Sequence, residues 1–461
     1  MFPLILLVSA LLTAATAPAP RTMRVDYYHT GNATEERFSL DTVRIEGEWP
    51  GRLDRVIDDT NLGRYLFEVR DRKTNRLLYS RGFAGIYGEW ETTDEAKNMN
   101  RTFSESVRFP APDAPVQLLL KKRDPQNAFR EVWSVVIDPA AQDVDRSPAP
   151  AGAHVWAVMQ NGPPSDKVDL LLMGDGYTAA EMDKWHADAR RLTEILFSQP
   201  PFRQRRSAFN VWAVDTPSEE SGVSIPSDGV WRRSALGASY DAFGSERYVL
   251  TFDNKRMRDA AAAAPYEFVE IVVNGRKYGG GGIFNLYATV SANNSSTPYV
   301  FVHEFGHHFA GLADEYYTSD VAVNKDEVRV EPWEPNATAD PKAIKWKDLI
   351  EPGTPLPTPW AKAEFEAAEK VTQAKRREIR ARHRPESEME ALFAQELAEM
   401  APLLARPPYG NKVGAFEGAN YEAHGYYRPE ADCMMFTRNT TRGFCAVCRR
   451  AIERVIDLYA K

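Results

Sequence analysis

The chain has 461 residues, of which 43% are hydrophobic and 26% are charged. This composition is typical of soluble globular proteins, and the length favours two domains over a single core. The formal net charge is −8, from 57 Lys and Arg against 65 Asp and Glu. Because this mild acidity is spread along the chain, it argues against a broad nucleic-acid-binding surface, which would require clustered basic residues.

The first residues have the features of a secretory signal peptide. Leu4 to Leu12 is an apolar run, and Ala15-Thr16-Ala17 resembles a small-residue cleavage site. The run is shorter than the ~20 apolar residues that span a bilayer, and no later segment is long and apolar enough to do so. We therefore predict a signal peptide over residues 1–17 and a secreted, periplasmic or cell-envelope protein. Retention as an anchor and a buried N-terminal strand are the alternatives.

Residues 22–138 are dominated by a two-residue periodicity. Runs such as Val116 to Leu120 and Val132 to Ile137 are short, rich in β-branched residues and separated by turn-forming clusters. This pattern is typical of an antiparallel β-sandwich of ~100 residues. Residues 139–152 contain Pro, Ala and Gly without periodicity, which predicts a linker. The role of the sandwich stays open between binding, folding and spacing.

Residues 153–461 alternate strand and helix patterns. Val168 to Met173 is a continuous apolar run, which is typical of a central strand. Thr178 and Glu181 form a capping box that predicts a helix through about Phe197. With the β-rich N-terminal region, this alternation predicts an α+β protein whose second domain has an α/β architecture.

Residues 360–406 are rich in Ala, Glu, Lys, Arg and Leu, with helical spacing on both sides of Pro385. Because a proline interrupts a helix, this pattern predicts a helical hairpin inserted in the second domain. Such an insert is either a solvated surface element or a lid that positions substrate near a cleft.

The strongest chemical motif is His303-Glu304-Phe305-Gly306-His307. Residues four apart lie on one face of a helix, so the two histidines can bind one ion together. This HExxH spacing supplies two zinc ligands and, in Glu304, a general base. Zinc lowers the pKa of its bound water to ~7 and polarises a peptide carbonyl, while the carboxylate transfers the proton. Taken alone, the five-residue pattern also occurs by chance in soluble helices.

A catalytic zinc also needs a third protein ligand and one open position. Gly311 can adopt positive φ and end the helix, which would return the chain toward the ion. Asp314 follows this turn and is the favoured third ligand, with Glu315 as the alternative. Further along the chain, Met435 or Met434 is a candidate for the apolar floor beneath the metal.

The three cysteines, Cys433, Cys445 and Cys448, all lie near the C-terminus. In an exported protein we expect a disulfide from Cys433 to one of the other two. Three reduced, buried thiols are the alternative. Cys445 and Cys448 also have the spacing of half a zinc-ribbon site, but the sequence offers no second pair.

Four consecutive glycines occupy the centre of Tyr278 to Asn285. The segment lacks the Lys-Ser/Thr of a P-loop and the G-x-G-x-x-G context of a dinucleotide site, so we reject nucleotide binding. A sheet edge whose glycines let a peptide backbone approach is one interpretation, and a flexible loop is the other.

Together these motifs resemble the IgA peptidase family of bacterial zinc metalloendopeptidases. The matching stretches run in order through the second domain and are Met173 to Thr178, Phe209 to Trp212, Tyr278 to Asn285, His303 to Tyr316 and Asp432 to Arg450. The resemblance implies a zinc endopeptidase with an N-terminal β domain, in which His303, His307 and Asp314 are ligands and Glu304 is the base. The order of histidines, glycine and acid is similar to that of metzincins, with the glycine and the acid each one position later.

The sequence therefore predicts a secreted zinc-dependent endopeptidase with a metzincin-like catalytic domain. Its predicted cofactor is Zn²⁺, held by His303, His307 and Asp314, and zinc-bound water would attack a protein or peptide substrate with Glu304 as general base. The alternatives are a non-catalytic, zinc-containing binding or adhesion module of the cell envelope and a zinc hydrolase acting on a non-peptide bond. The sequence predicts neither the oligomeric state nor the cleavage-site preference, because specificity depends on loops around the site.

Overall fold

The computed structural model describes residues 19–148, 153–318 and 329–461. The predicted signal peptide, residues 1–17, and residues 149–152 of the predicted linker lie outside the described residues. Within the described ranges, no helix combines the length and the apolar character that crossing a membrane requires.

Two antiparallel sheets form the N-terminal region, which is β-rich as predicted. The three-stranded sheet, in the order β2-β1-β5, consists of β1 (Arg21–Gly31), β2 (Glu36–Glu48) and β5 (Arg101–Pro110). The four-stranded sheet, in the order β4-β3-β6-β7, consists of β3 (Tyr65–Asp71), β4 (Leu77–Phe83), β6 (Val116–Arg123) and β7 (Phe129–Ile137). The two sheets share one hydrophobic core, in which side chains such as Val25 and Phe67 are buried.

A six-stranded sheet forms the centre of the second region, in the order β14-β15-β13-β9-β10-β8. Its strands are β8 (Val155–Met159), β9 (Val168–Asp175), β10 (Phe209–Val214), β13 (Phe268–Val273), β14 (Gly280–Ile283) and β15 (Tyr287–Ser291). The four inner strands run parallel, whereas the edge strands β14 and β8 are antiparallel to their neighbours. Two small hairpins complete the strands, β11 (Ala238–Ser239) with β12 (Leu250–Thr251) and β16 (Phe416–Ala419) with β17 (Glu422–Arg428).

The α-helices of the described residues are α1 (Ile86–Trp90), α2 (Met182–Leu196), α3 (Asn254–Ala261), α4 (Thr297–Ala310), α5 (Lys362–Ala381), α6 (Glu386–Leu404) and α7 (Ala446–Tyr459). Helix α4 contacts α2, α7 and the sheet, so most of its residues are buried. Helices α5 and α6 contact each other across a short turn that ends at Pro385. The capping box of Thr178 and Glu181 is present, but it caps a single 3-10 turn, and α2 begins after that turn.

The N-terminal region is fixed to the second region through both polar and apolar contacts. Arg24 of β1 donates from Nη2 to Oδ1 of Asp259 on α3 at 2.7 Å, and Asn254 Nδ2 donates to Ser106 Oγ at 2.7 Å. Helix α1 packs into the hydrophobic core of the second region. Because the two regions share these buried contacts, the N-terminal region is held beside the sheet that carries the candidate site.

The first part of the predicted linker lies against the sandwich. The N–H of Ile45 donates to the carbonyl of Asp145 at 2.8 Å, and Val144 is buried in the sandwich core. The described residues 139–148 therefore extend the N-terminal region, although their composition predicts a linker.

Candidate metal centre

Helix α4 presents the two histidines of the HExxH motif to one point. The Nε2 atoms of His303 and His307 lie 3.1 Å apart, and the side chains are only 4% and 15% exposed. The neighbouring His308 points away from them. Its Nδ1 donates to the carbonyl of Ile283 at 3.0 Å, and its Nε2 accepts from the N–H of Val269 at 3.2 Å. Burial lowers the pKa of His308 to about 3, so this side chain is neutral and serves packing.

The turn after α4 returns an acidic residue to the histidines. Gly311 adopts φ 59° and ψ 37°, a left-handed conformation that glycine tolerates because it has no Cβ. Asp314 Oδ1 then lies 3.1 Å and 3.2 Å from the two histidine Nε2 atoms. Glu315 points elsewhere, and its Oε1 accepts from Asn336 Nδ2 at 3.0 Å. Of the two acidic residues that the sequence leaves open, Asp314 is the one beside the histidines.

These three donor atoms have the spacing of ligands around one ion. Ligands at ~2.0–2.1 Å from a tetrahedral zinc are separated from one another by roughly 3.3 Å. The observed separations of 3.1 and 3.2 Å are close to this value. Two imidazoles and one carboxylate are also a donor set that catalytic zinc sites use. The residues present therefore fit a zinc ion.

Backbone carbonyls orient both imidazoles. His303 Nδ1 lies 3.0 Å from the carbonyl oxygen of Met434, and His307 Nδ1 lies 2.5 Å from that of Leu312. Because a carbonyl oxygen accepts and never donates, each Nδ1 must carry the hydrogen. The Nε2 lone pairs are then available to a metal ion, an arrangement typical of metal-binding histidines.

The electrostatics of the cluster favour a positive charge between these groups. Burial disfavours the charged form of His307, but the Asp314 carboxylate outweighs burial and raises the pKa of His307 to about 9. Burial would raise the pKa of Asp314, yet the two histidines hold that pKa well below its usual value. A divalent cation supplies this charge without protonating a ligand.

Glu304 lies on the same side of α4, since a carboxylate oxygen of Glu304 lies within 4.8 Å of a ring nitrogen of each histidine, and it lines one cleft together with His307 and Asp314. Burial raises the pKa of the Glu304 carboxyl, and the two histidines of the motif oppose this effect. The carboxyl is therefore placed beside the converging ligand atoms, where a general base would have to act.

The glycines of β14 allow this strand to approach α4 closely. A Cβ on Gly282 would lie 2.2 Å from the carbonyl oxygen of Glu304, and a Cβ on Gly280 would lie 3.2 Å from Glu304 Cγ. On the outer edge of the strand, Gly280 already pairs with Tyr248. These glycines therefore pack against α4, and because Gly280 and Gly282 also line the cleft, the approach of a peptide backbone stays a prediction.

The cleft has a volume of about 320 Å³. Its lining includes Glu304, His307 and Asp314 from the second region and Ala84, Glu89, Thr92 and Thr93 from the N-terminal region. The N-terminal region, whose role the sequence leaves open, thus forms one wall. In this wall burial raises the pKa of Glu89 to about 7, and the Tyr248 hydroxyl donates to Glu89 Oε2 at 3.2 Å.

Several residues at the site carry no motif that would reveal them in the sequence. The hydroxyl of Tyr421 donates a short hydrogen bond to Asp314 Oδ2. Tyr421 lies on the turn between β16 and β17, where Asn420 also has positive φ. Arg247 Nη2 donates to the hydroxyl of Tyr316 at 3.0 Å, and both residues line the cleft. Long sequence separations, with Tyr421 lying 107 residues from Asp314, prevented their prediction.

The methionine segment packs beneath α4. A Cβ on Gly306 would lie 3.2 Å from Met435 Sδ and 3.1 Å from Phe444 Cε1, so the glycine inside the motif leaves room for these side chains. Met434 and Met435 are both fully buried. The first contributes a carbonyl to His303, and the second contributes the apolar contact under the helix.

The expected disulfide is not formed. All three cysteines are free and buried. The Sγ atoms of Cys433 and Cys448 lie 3.8 Å apart, which is well beyond the ~2.05 Å of a disulfide bond. The three thiols surround the carboxylate of Glu315.

Two histidines and a carboxylate that converge beside a glutamate define the kind of site that metallopeptidases use. The sequence profile described as IgA Peptidase M64 matches residues 156–456, and the profile described as Peptidase M64 N-terminus matches residues 16–134. The chain belongs to the IgA Peptidase M64 family, and the resemblance drawn from its motifs is confirmed. It is therefore a peptidase, a hydrolase of proteins or peptides. No curated protein matches the chain.

Proposed function

We propose that this protein is an exported, zinc-dependent endopeptidase with a metzincin-like catalytic domain. The observation that carries the proposal is the convergence of His303, His307 and Asp314, whose donor atoms lie within 3.2 Å of one another beside Glu304. The metzincin-like assignment is supported by the glycine turn after α4 and by the buried methionines beneath it.

In this proposal His303, His307 and Asp314 would hold the zinc ion, and the carbonyls behind the two imidazoles keep the Nε2 lone pairs free for it. Bound zinc supplies Lewis-acid chemistry, because it lowers the pKa of a coordinated water and polarises the substrate carbonyl. Tyr421 orients the third ligand through its hydrogen bond to Asp314 Oδ2.

Glu304 performs the proton transfer. Its carboxylate accepts a proton from the attacking water and delivers it to the nitrogen of the leaving amine. The burial that raises the pKa of Glu304 makes its carboxylate a better proton acceptor than that of an exposed glutamate. The wall formed by the N-terminal region limits the access of bulk water to this transfer and binds part of the substrate.

Metal removal and replacement tests the proposal. The substrate is a peptide blocked at both ends, because its hydrolysis requires an endopeptidase. We expect hydrolysis to stop after dialysis against a chelator and to return with zinc. His303→Gln should abolish hydrolysis, whereas His424→Gln, on an exposed side chain of β17, should leave it unchanged. Full activity of the chelated protein, or of His303→Gln, would overturn the proposal.

Export is proposed from the apolar run Leu4 to Leu12 and the small residues before Pro18. We expect the protein recovered outside the cytoplasm to begin near residue 18, as determined by N-terminal sequencing. Recovery of the full-length chain from the cytoplasm would contradict export and would leave the zinc mechanism untouched.

A further inference from the structure

A second group of metal-binding side chains lies next to the candidate metal centre. Glu315, Cys433, Cys445 and Cys448 each offer one ligand atom, and these four atoms all lie within 4.8 Å of one another. The exposed fraction of every one of these residues is 1% or less. We propose that the four residues form a second, closed zinc site with a structural role.

The spacing of the four atoms fits one tetrahedral ion. Cys433 Sγ lies 3.8 Å from Cys448 Sγ, and Glu315 Oε1 lies 3.4 Å from Cys448 Sγ and 4.0 Å from Cys445 Sγ. Sulfur at ~2.3 Å and oxygen at ~2.0–2.2 Å from zinc give ligand separations of roughly 3.6–3.8 Å in a tetrahedron. Thiolates are ligands for soft metal ions and not for calcium or magnesium, so zinc is the divalent ion that suits this set.

The backbone around the cysteines is arranged to stabilise thiolates. Cys445 is the N-cap of α7, and its Sγ accepts from the N–H of Cys448 at 3.4 Å. Cys433 Sγ accepts from the N–H groups of Met435 at 3.5 Å and Cys445 at 3.3 Å. Backbone donors and the positive end of a helix both favour a negatively charged sulfur.

The burial of Glu315 is an independent reason to expect a cation at this cluster. The residue is fully buried, and its Oε2 has no hydrogen-bond partner among the described residues. Burial of an unpaired carboxylate is costly, and coordination to a cation removes that cost. A disulfide between Cys433 and Cys448 would remove two sulfurs from the cluster and leave this carboxylate without a cation.

The ion would join the two segments that build the candidate metal centre. Glu315 directly follows Asp314, and its N–H donates to the carbonyl of Met435 at 2.8 Å. Cys433 directly precedes Met434, whose carbonyl orients His303. Zinc binding converts three thiols to thiolates and releases three protons to solvent. The structural zinc site then fixes Asp314, the third ligand of the candidate metal centre, relative to the methionine segment. It does so without contacting substrate.

Elemental analysis of the full chain, purified without added reductant, tests the proposal together with intact-mass measurement and thiol alkylation. We expect two zinc ions per chain and three cysteines that alkylate only after the metal is removed in denaturant. One zinc per chain would overturn the proposal when the mass is lower by two hydrogens, as a disulfide requires, or when all three thiols react freely. One zinc with all three thiols protected would support the cysteine site and count against zinc at the histidines. Iron in place of zinc would also contradict it.

Variants separate the two sites. His303→Ala combined with His307→Ala should keep one zinc, and its cobalt-substituted form should show a thiolate-to-cobalt charge-transfer band, which imidazole and carboxylate ligands do not give. Cys445→Ser should lose one zinc, whereas Val447→Thr, buried on the same turn of α7, should keep two. A cobalt form of the histidine double variant without this band would refute the cysteine site. The zinc content of the wild-type protein tests the proposal without any variant. The histidine double variant and Cys445→Ser then test the two zinc sites separately.

Discussion

The substitution Gly282→Ala tests whether close packing of β14 against α4 positions the HExxH residues of this helix. Gly282 does not have positive φ, so alanine introduces no backbone strain. Its Cβ would lie 2.2 Å from the carbonyl oxygen of Glu304 and 3.0 Å from His307 Cβ, whereas ordinary contacts between carbon atoms are ~3.5–4.0 Å. The strand and the helix must therefore separate by roughly 1 Å, a displacement that costs ~100-fold in rate when it affects catalytic groups. Overpacking of this kind also costs about 1–3 kcal/mol of stability.

The assay for this prediction combines kcat/KM on a peptide blocked at both ends with zinc content and thermal unfolding. The matched control is Gly47→Ala, at an exposed strand position with no heavy atom within 4 Å of the added Cβ. This control should keep the wild-type rate and be equally or slightly more stable. Wild-type kcat/KM and an unchanged unfolding temperature for Gly282→Ala would refute the reasoning.

Two further predictions concern single side chains. Tyr421→Phe removes the hydrogen bond to Asp314 Oδ2, so the affinity for zinc should fall by ~10–100-fold. Zinc affinity is measured by competition with a chelator, and an unchanged value would show that the Tyr421 hydroxyl does not orient Asp314. His29 lies 3.1 Å from both Glu36 and Glu105, and although burial opposes its charge, these carboxylates raise the pKa of His29 above 6.5. Because the folded-state pKa is the higher one, this stabilisation is complete below pH ~6.5 and is lost as the pH rises through the folded-state pKa. His29→Gln should therefore reduce the decline of unfolding free energy with rising pH, measured in urea, and parallel curves for variant and wild type would contradict this.

Local sequence patterns predict the elements of this fold better than they predict its assembly. Val168 to Met173 is apolar throughout because β9 lies inside the sheet with neighbours on both sides, and this signal is local. The attachment of the N-terminal region depends on contacts such as that of Arg24 with Asp259, which are 235 residues apart. No local periodicity encodes such a pairing, so the wall that this region contributes to the cleft could not be predicted.

The same distinction applies to the candidate site. His303, His307 and Asp314 lie on one helix and the turn after it, so helix geometry and one glycine suffice to bring them together. Tyr421 reaches the site from a distant segment, and the cysteines form a separate group beside it. The expected disulfide followed from the chemistry of exported proteins alone, and the buried Glu315 carboxylate between the thiols was not foreseen.

The most direct test of the central claim is the substitution Glu304→Gln, followed by peptide hydrolysis and zinc analysis of the same sample. We predict that hydrolysis falls by at least ~100-fold, because the general base is lost, while the zinc content equals that of the wild type. Glu399→Gln, on an exposed position of α6, is the matched control and should retain full activity. Hydrolysis by zinc-loaded Glu304→Gln at the wild-type rate would contradict the account.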